Sequence, residues 1–196
     1  MITINLNKGK KVYFSSDNHL GSPNHSESLV REKLFVSWLD QIKTDAQVIF
    51  LLGDLFDFWF EYYRSVPKGY TRLLGKLSEL CDSGIKIYFF VGNHDYWTLD
   101  YFTKEIGMEV LKKPTDFKIN NKLFFMGHGD GLGPGDLKYK FLKKIFRNPI
   151  FIFLFRINYP WFGIPLGNFF SRKNKIFSGK EIKSEKKEKE MLYFFC

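Results

Sequence analysis

Short apolar runs separated by polar, glycine-bearing breaks organise the first two thirds of the chain. Lys11–Ser15 (KVYFS) is rich in β-formers, ends in polar residues and predicts a strand. Leu29, Leu34, Trp38, Leu39 and Ile42 recur at near-helical spacing and predict an amphipathic helix over 26–44. Val48–Leu52 is continuously apolar, as strands buried on both faces of a parallel sheet are. Tyr70, Leu73, Leu74, Leu77 and Leu80 predict a second helix, with Gly84 as its C-cap. Lys86–Val91 predicts a third strand, and a short helix around Leu99–Ile106 is stopped by Gly107. Phe117–Ile119 and Leu123–Met126 flank Asn120-Asn121, the pattern of a hairpin turn.

Strands alternating with helices predict an α/β fold. The character of the chain changes at Gly129–Gly135, beyond which it is rich in Lys and Phe and interrupted by Pro149, Pro160 and Pro165. A length of 196 residues suits one α/β domain with a sizeable core. Charge sharpens the division. Residues 1–135 carry 16 basic and 16 acidic residues, whereas 136–190 carry 14 and 5, so the whole excess of +9 sits in the last third. Such a segment points to an anionic partner: nucleic acid, a membrane surface or a phosphorylated substrate. Two cysteines at unrelated positions, Cys81 and Cys196, exclude a disulfide framework. Met1–Lys11 has no apolar core of a secretory signal, so a reducing, cytoplasmic setting is expected.

Four predicted strands each end in a polar cluster: Ser16-Asp17-Asn18-His19, Gly53-Asp54-Leu55-Phe56-Asp57, Gly92-Asn93-His94-Asp95 and Gly127-His128-Gly129-Asp130. Ligands bind at the carboxyl ends of strands in open α/β sheets, so the four clusters are expected to converge. Asp17, His19, Asp54, Asn93 and His128 offer carboxylate, imidazole and amide ligands without thiolate. That mixture suits two divalent cations such as manganese, iron or zinc, and disfavours copper(I) or iron–sulfur chemistry. One Asp-x-His is ordinarily a surface pair, and one Gly-Asn-His-Asp an ordinary turn. The joint pattern is more specific, because three of the chain's four histidines lie inside these clusters. Asp57 and Asp95 read as residues that orient the ligands, with turn or cap chemistry as the plain alternative.

Asp-x-His, Gly-Asp-x-x-Asp, Gly-Asn-His-Asp and Gly-His, in this order, resemble the calcineurin-like metallophosphoesterase superfamily. The expected fold is then a metallophosphoesterase β-sandwich flanked by helices, with a helical lid insertion: a core over 1–135, a basic aromatic lid over 136–180 and a return helix over 181–196. Within the superfamily, Ser16–Leu20, Gly53–Asp57 with Phe58-Trp59-Phe60, and His128–Leu132 with Gly133–Asp136 resemble the Bacteroidetes-type pyrophosphatases of lipid A biosynthesis. The resemblance implies hydrolysis of UDP-2,3-diacylglucosamine to UMP and 2,3-diacylglucosamine 1-phosphate by a two-metal-activated hydroxide, with two divalent ions and Mn2+ as the expected metal. It implies that Asp17 and His19 bind one metal, that Asp54 bridges both, and that Asn93 and His128 bind the second. It places His94 and Asp54 in catalysis, and Asn93, His94, Asp136 and Tyr139 on the substrate. The superfamily's late Gly-His-x-His motif has no counterpart here. The chain ends at Cys196 in the apolar run Met191–Cys196, with no histidine after His128, and reads as cut short before its last ligands.

In the basic third, Lys138, Lys140, Lys143, Lys144 and Arg147 lie beside Phe141, Phe146, Phe151, Phe153 and Phe155. Arg156, Asn158 and two prolines interrupt the apolar run, which falls short of the ~20 residues of a spanning helix. An interfacial lid fits, cations to the headgroups and aromatics to the acyl boundary; a core hairpin with solvated lysines is the plainer reading. The expected partners are a UDP-linked glycolipid and an anionic membrane surface, with the protein peripheral on the inner membrane. Binding of single-stranded nucleic acid, as in nucleases of the superfamily, is the competing reading and is not expected, because the aromatics form Phe runs rather than spaced platforms. A soluble-nucleotide phosphoesterase and a non-catalytic scaffold are the remaining alternatives.

Overall fold

A computed structural model of the chain describes residues 1–129, Lys144 and 147–157. Among the described residues, strands and helices follow one another as β1 (Ile2–Ile4), β2 (Lys11–Ser15), α1 (His25–Ile42), β3 (Ala46–Leu51), α2 (Thr71–Asp82), β4 (Lys86–Phe90), α3 (Tyr101–Lys104), β5 (Glu109–Leu111), β6 (Thr115–Ile119), β7 (Lys122–Met126) and α4 (Pro149–Ile157). One sheet has the order β2-β3-β4-β5 and is parallel throughout. The other has the order β1-β6-β7, with β6 and β7 an antiparallel hairpin. This is an α/β fold of two sheets and covering helices, as the sequence predicts.

The continuous apolar runs of β3 and β4 have a direct cause. Ile49, Leu51, Ile87 and Phe89 face α1, α2 and α3, while Val48, Phe50, Tyr88 and Phe90 face the second sheet. With both faces covered, alternation with polar residues has no place. Between the sheets Phe50 stacks on Tyr88 at 5.2 Å and meets Phe117 edge-on at 4.9 Å.

The caps show where sequence suffices and where it does not. Asn24 accepts from Glu27 N at 3.0 Å and donates to the Glu27 carboxylate, a local capping arrangement at the start of α1. The start of α2 is held instead by buried Glu32 of α1, which accepts from Arg72 N and Leu73 N. Gly84 follows the α2 cap residue Ser83 with φ +90°, close to its expected role. The helix expected around Leu99–Ile106 is one turn, Tyr101–Lys104. Strands β1 and β5 have three residues each and carry no pattern of their own; β1 is a strand because it pairs with β6, over a hundred residues away. Of the expected lid, Lys144, Arg147, Asn148 and α4 are described. The rest of 136–180, the charged run 180–190 and the return helix 181–196 lie outside the described residues.

Candidate metal centre

Past the ends of β2 and β3 the two chains stay paired as loops. Asp17 N donates to Gly53 O at 3.1 Å, His19 N to Asp54 O at 2.9 Å and Leu20 N to Leu55 O at 3.0 Å. Holding these contacts puts Asp17, His19 and Asp54 in the left-handed region, at φ 54°, 44° and 51°. Side chains rarely adopt this conformation, and such strain clusters where geometry serves a site. Two glycines give the ligand candidates room. A Cβ on Gly53 would lie 2.5 Å from His128 Nδ1, and one on Gly92 would overlap the Asp54 carboxylate.

The focus is Asp54, 4% exposed. Its Oδ1 accepts from His94 N at 3.0 Å, while Oδ2 faces three imidazoles: His128 Nε2 at 3.4 Å, His19 Nε2 at 3.7 Å and His94 Nε2 at 4.0 Å. Each ring is turned the same way. The outward nitrogen of His128 donates to Leu52 O at 2.8 Å, that of His94 donates to Asp57 O at 2.7 Å, and that of His19 lies 3.5 Å from Asp57 Oδ1. For His94 and His128, tethering Nδ1 leaves Nε2 aimed inward, the arrangement by which outer partners fix a ligand imidazole; His19 Nδ1 faces Asp57 without a hydrogen bond. Asn93 Oδ1 approaches His128 Nε2 at 3.3 Å, and Asp17 Oδ1 lies 4.0 Å from His19 Nε2.

A buried frame holds this arrangement. Fully buried Asp95 accepts from Leu55 N and Gly92 N, each at 2.7 Å, and from Phe56 N at 3.4 Å, so it ties the β3 loop to the β4 loop. Burial and the neighbouring Asp54 push its acid up to about 7, against the pull of those three N–H groups. Tyr70 donates to Leu20 O at 3.1 Å and packs on Phe56, and Arg31 donates to His19 O and Ser22 O. Neither Tyr70 nor Arg31 has a sequence signal for this role, since both act across tertiary contacts.

All six residues expected at the centre, Asp17, His19, Asp54, Asn93, His94 and His128, are brought together. Asp57 and Asp95 lie behind them as orienting groups. Asp136 and Tyr139 fall outside the described residues. The clusters are not all at the ends of the parallel sheet. Three end β2, β3 and β4, but His128 follows β7 of the second sheet, so the centre sits across the mouth of the sandwich. Two groups of donor atoms fall within 4.8 Å of one another, His19–Asp54–His94 and Asp17–Asp54–His128. A buried carboxylate ringed by inward imidazole nitrogens, with no thiolate, fits one or more divalent cations.

Protons and metal compete for these groups. Burial alone would raise Asp54, but the hydrogen bond and charge of the histidines hold it below the usual carboxylate range. For His128 burial works downward, yet the bond to Asp54 and its charge push it up to about 9, above its ordinary 6.5. A raised folded pKa stabilises the metal-free fold fully below pH 6.5, and that stabilisation is lost as pH rises towards 9. A metal held by His128 would need the imidazole neutral. Its apparent affinity should therefore rise by about tenfold per pH unit over this window, with release of about one proton. Calorimetric Mn2+ titrations at pH 7 and pH 8 in buffers of different ionisation enthalpy measure both, and a flat affinity would contradict the pairing.

Residues 10–186 match the family model described as calcineurin-like phosphoesterase. The chain is similar to the UDP-2,3-diacylglucosamine hydrolase of Porphyromonas gingivalis, 40% identical over 175 residues that cover 89% of this chain and 66% of that protein. It is 33% identical over 125 residues to the hydrolase of the same name from Pseudomonas fluorescens, covering 63% of this chain and 49% of that one. Of solved structures, the Pseudomonas putida nuclease MPE aligns over 52% of this chain and 48% of its own, with TM-score 0.35 and 19% identity, too slight a likeness to carry an argument. The chain thus spans between half and two thirds of the length of these curated relatives. With the family model covering most of its residues and the motif clusters meeting around Asp54, the chain belongs to the calcineurin-like phosphoesterase family, whose members are metal-dependent.

Proposed function

We propose that the chain hydrolyses the pyrophosphate bond of UDP-2,3-diacylglucosamine, giving UMP and 2,3-diacylglucosamine 1-phosphate, at the inner face of the cytoplasmic membrane. The observation that carries this is the convergence of His19, His94 and His128 Nε2 on Asp54 Oδ2, taken with the names of the curated relatives. In this reading Asp17, His19 and Asp54 hold one divalent ion, and Asp54, Asn93 and His128 a second, with Mn2+ the expected metal. Bound ions supply Lewis acidity at the phosphoryl group. The chain's own groups do the rest. Asp54 holds charge at the centre, and Asp95 keeps the loops bearing Asp54 and Asn93 in register. His94, with its Nδ1–H tied to Asp57 O, presents Nε2 to the reacting phosphate; when both ring nitrogens carry a proton, Nε2–H stabilises the growing charge there or passes its proton to the departing oxygen.

Helix α4 adds a surface for a lipid. Ile152 and Phe155 pack inward on Phe58, Phe60 and Tyr62, with Phe155 4.6 Å from the Phe60 ring, and Arg156 donates to Glu61 O. Phe151 and Phe153 point away, each about half exposed, and Ile150 and Ile157 more so. No helix among the described residues is long and apolar enough to cross a membrane. In this reading the outward face meets acyl chains at a bilayer surface, where each buried Phe contributes roughly 1.5–3 kcal/mol.

Substrate turnover in anionic vesicles tests both parts. Phosphorus NMR should detect UMP formation, and Phe151→Ser with Phe153→Ser should lower turnover of vesicle-borne substrate at least tenfold while a water-soluble UDP-sugar analogue is unaffected. Phe155 is left intact, because it belongs to the packed face. Efficient cleavage of the soluble nucleotide with none of the lipid would replace this reading by a soluble-nucleotide phosphoesterase.

A further inference from the structure

The parallel sheet has a fourth carboxyl end, that of β5, which lies beside β4 and carries no motif. Lys112 occupies it, immediately after Leu111. Its ammonium donates to Thr98 O at 2.9 Å, on the stretch that leads from His94, and lies 6.0 Å from the Tyr96 ring. Arg156 of α4 reaches the neighbouring stretch. It donates through Nε to Glu61 O at 3.1 Å, with its guanidinium 5.5 Å from the rings of Phe60 and Tyr63. The two stretches are joined, since Glu61 N donates to Trp97 O at 2.9 Å.

Two cations from separate elements thus meet on one ledge, and neither forms an ion pair among the described residues. Arg147 lies on the same stretch, 4.3 Å from the Tyr96 ring. Glu61 is the acidic group nearby, but its two oxygens already accept from Leu99 N, Asp100 N and Tyr101 N. Although Lys112 is exposed as a residue, crowding around its ammonium, and then the charge of Arg156, disfavour its charged form, while Glu61 works the other way. Gathering like charges is unfavourable unless an anion answers them. The ledge also carries two buried hydroxyls without a hydrogen-bond partner, Thr98 Oγ1 and Tyr62 OH.

We propose that Lys112 and Arg156 form a binding site for a phosphate oxyanion at the β5 end of the sheet, next to the metal centre, where it takes a second phosphate of the substrate or a lipid headgroup. Assigning the anion to the substrate rests on the hydrolase reading above; the anion site itself does not. Lysine and arginine serve different parts of such a site, a point charge and a planar donor fork.

The test uses the whole chain, stripped of metal with EDTA, so that binding at the centre around Asp54 does not contribute. Inorganic pyrophosphate is titrated by calorimetry at low salt, and vesicles containing phosphatidylglycerol are titrated by sedimentation. Lys112→Met should weaken binding about tenfold in at least one arm, the loss expected for one charge-assisted hydrogen bond. Lys112→Arg should retain it, and Lys113→Met, at an equally exposed neighbour that makes none of these contacts, should leave it unchanged. A loss confined to pyrophosphate identifies a soluble phosphate as the source; one confined to vesicles identifies a headgroup. Equal loss in Lys113→Met, or no loss with Lys112→Met in either arm, overturns the proposal. Because these measurements involve no turnover, a chain that binds pyrophosphate through Lys112 yet leaves UDP-2,3-diacylglucosamine intact would keep the site and lose the substrate assignment.

Discussion

Asp54→Asn should abolish metal binding at the centre while the fold survives. The substitution is nearly isosteric, and the amide oxygen still accepts from His94 N, so the loop between β3 and the Asn93–His94 turn is kept. What disappears is the negative charge on which His19, His94 and His128 converge at 3.4–4.0 Å. Loss of groups that only orient ligands costs about 10–100-fold in metal affinity, and a central ligand carries more. The expected result is a fall in Mn2+ affinity of more than about 100-fold, with unchanged far-ultraviolet circular dichroism and with turnover lowered by orders of magnitude. His128 also loses the partner that raises it, so the pH dependence of residual binding should flatten. Retained metal occupancy with near-normal turnover would rule out Asp54 as the common ligand.

The second large effect is on stability. Asp95→Ala removes the one side chain that accepts from Leu55, Phe56 and Gly92 N–H. The site is fully buried, so water does not replace the carboxylate cheaply. Each orphaned donor costs about 1–3 kcal/mol, and the total should reach on the order of 3–5 kcal/mol, a large share of the 5–15 kcal/mol of a typical domain. Urea unfolding of the metal-free protein measures it. Asp95→Asn keeps one acceptor oxygen for Leu55 and Phe56 N–H but turns its NH2 towards Gly92 N–H, so it should cost less than Asp95→Ala without being neutral. A change below about 1 kcal/mol for Asp95→Ala would mean that the β3 and β4 loops are held by other means.

Asp95 also marks where sequence reading ran out. Its motif was legible, but Gly-Asn-His-Asp does not distinguish an orienting carboxylate from a turn residue, and only the three buried N–H groups from two loops decide it. The ligand candidates were legible for the opposite reason. Asp17, His19, Asp54, Asn93, His94 and His128 each sit within a few residues of a strand end, and buried parallel strands such as Ala46–Leu51 announce themselves by unbroken apolarity. The position of His128 was less so: its hairpin was evident from Asn120-Asn121, but nothing local says that the hairpin belongs to a second sheet. Glu32, Tyr70, Arg31 and Lys112 left no trace in the pattern, because each acts on a segment nine or more residues away. The short strands β1 and β5 were missed for the same reason, their state being set by partners rather than by propensity. In α4 the sequence correctly set Phe beside basic residues, yet only packing separates Phe155, which faces Phe60, from Phe151 and Phe153, which face outward.

Manganese soaked into crystals of the protein and located by anomalous scattering at the manganese edge tests the central claim most directly. The account predicts two peaks flanking Asp54 Oδ2, one within bonding distance of Asp17 and His19 and the other of Asn93 and His128. Peaks elsewhere, or none at Asp54 under saturating Mn2+ at pH 8, would contradict it.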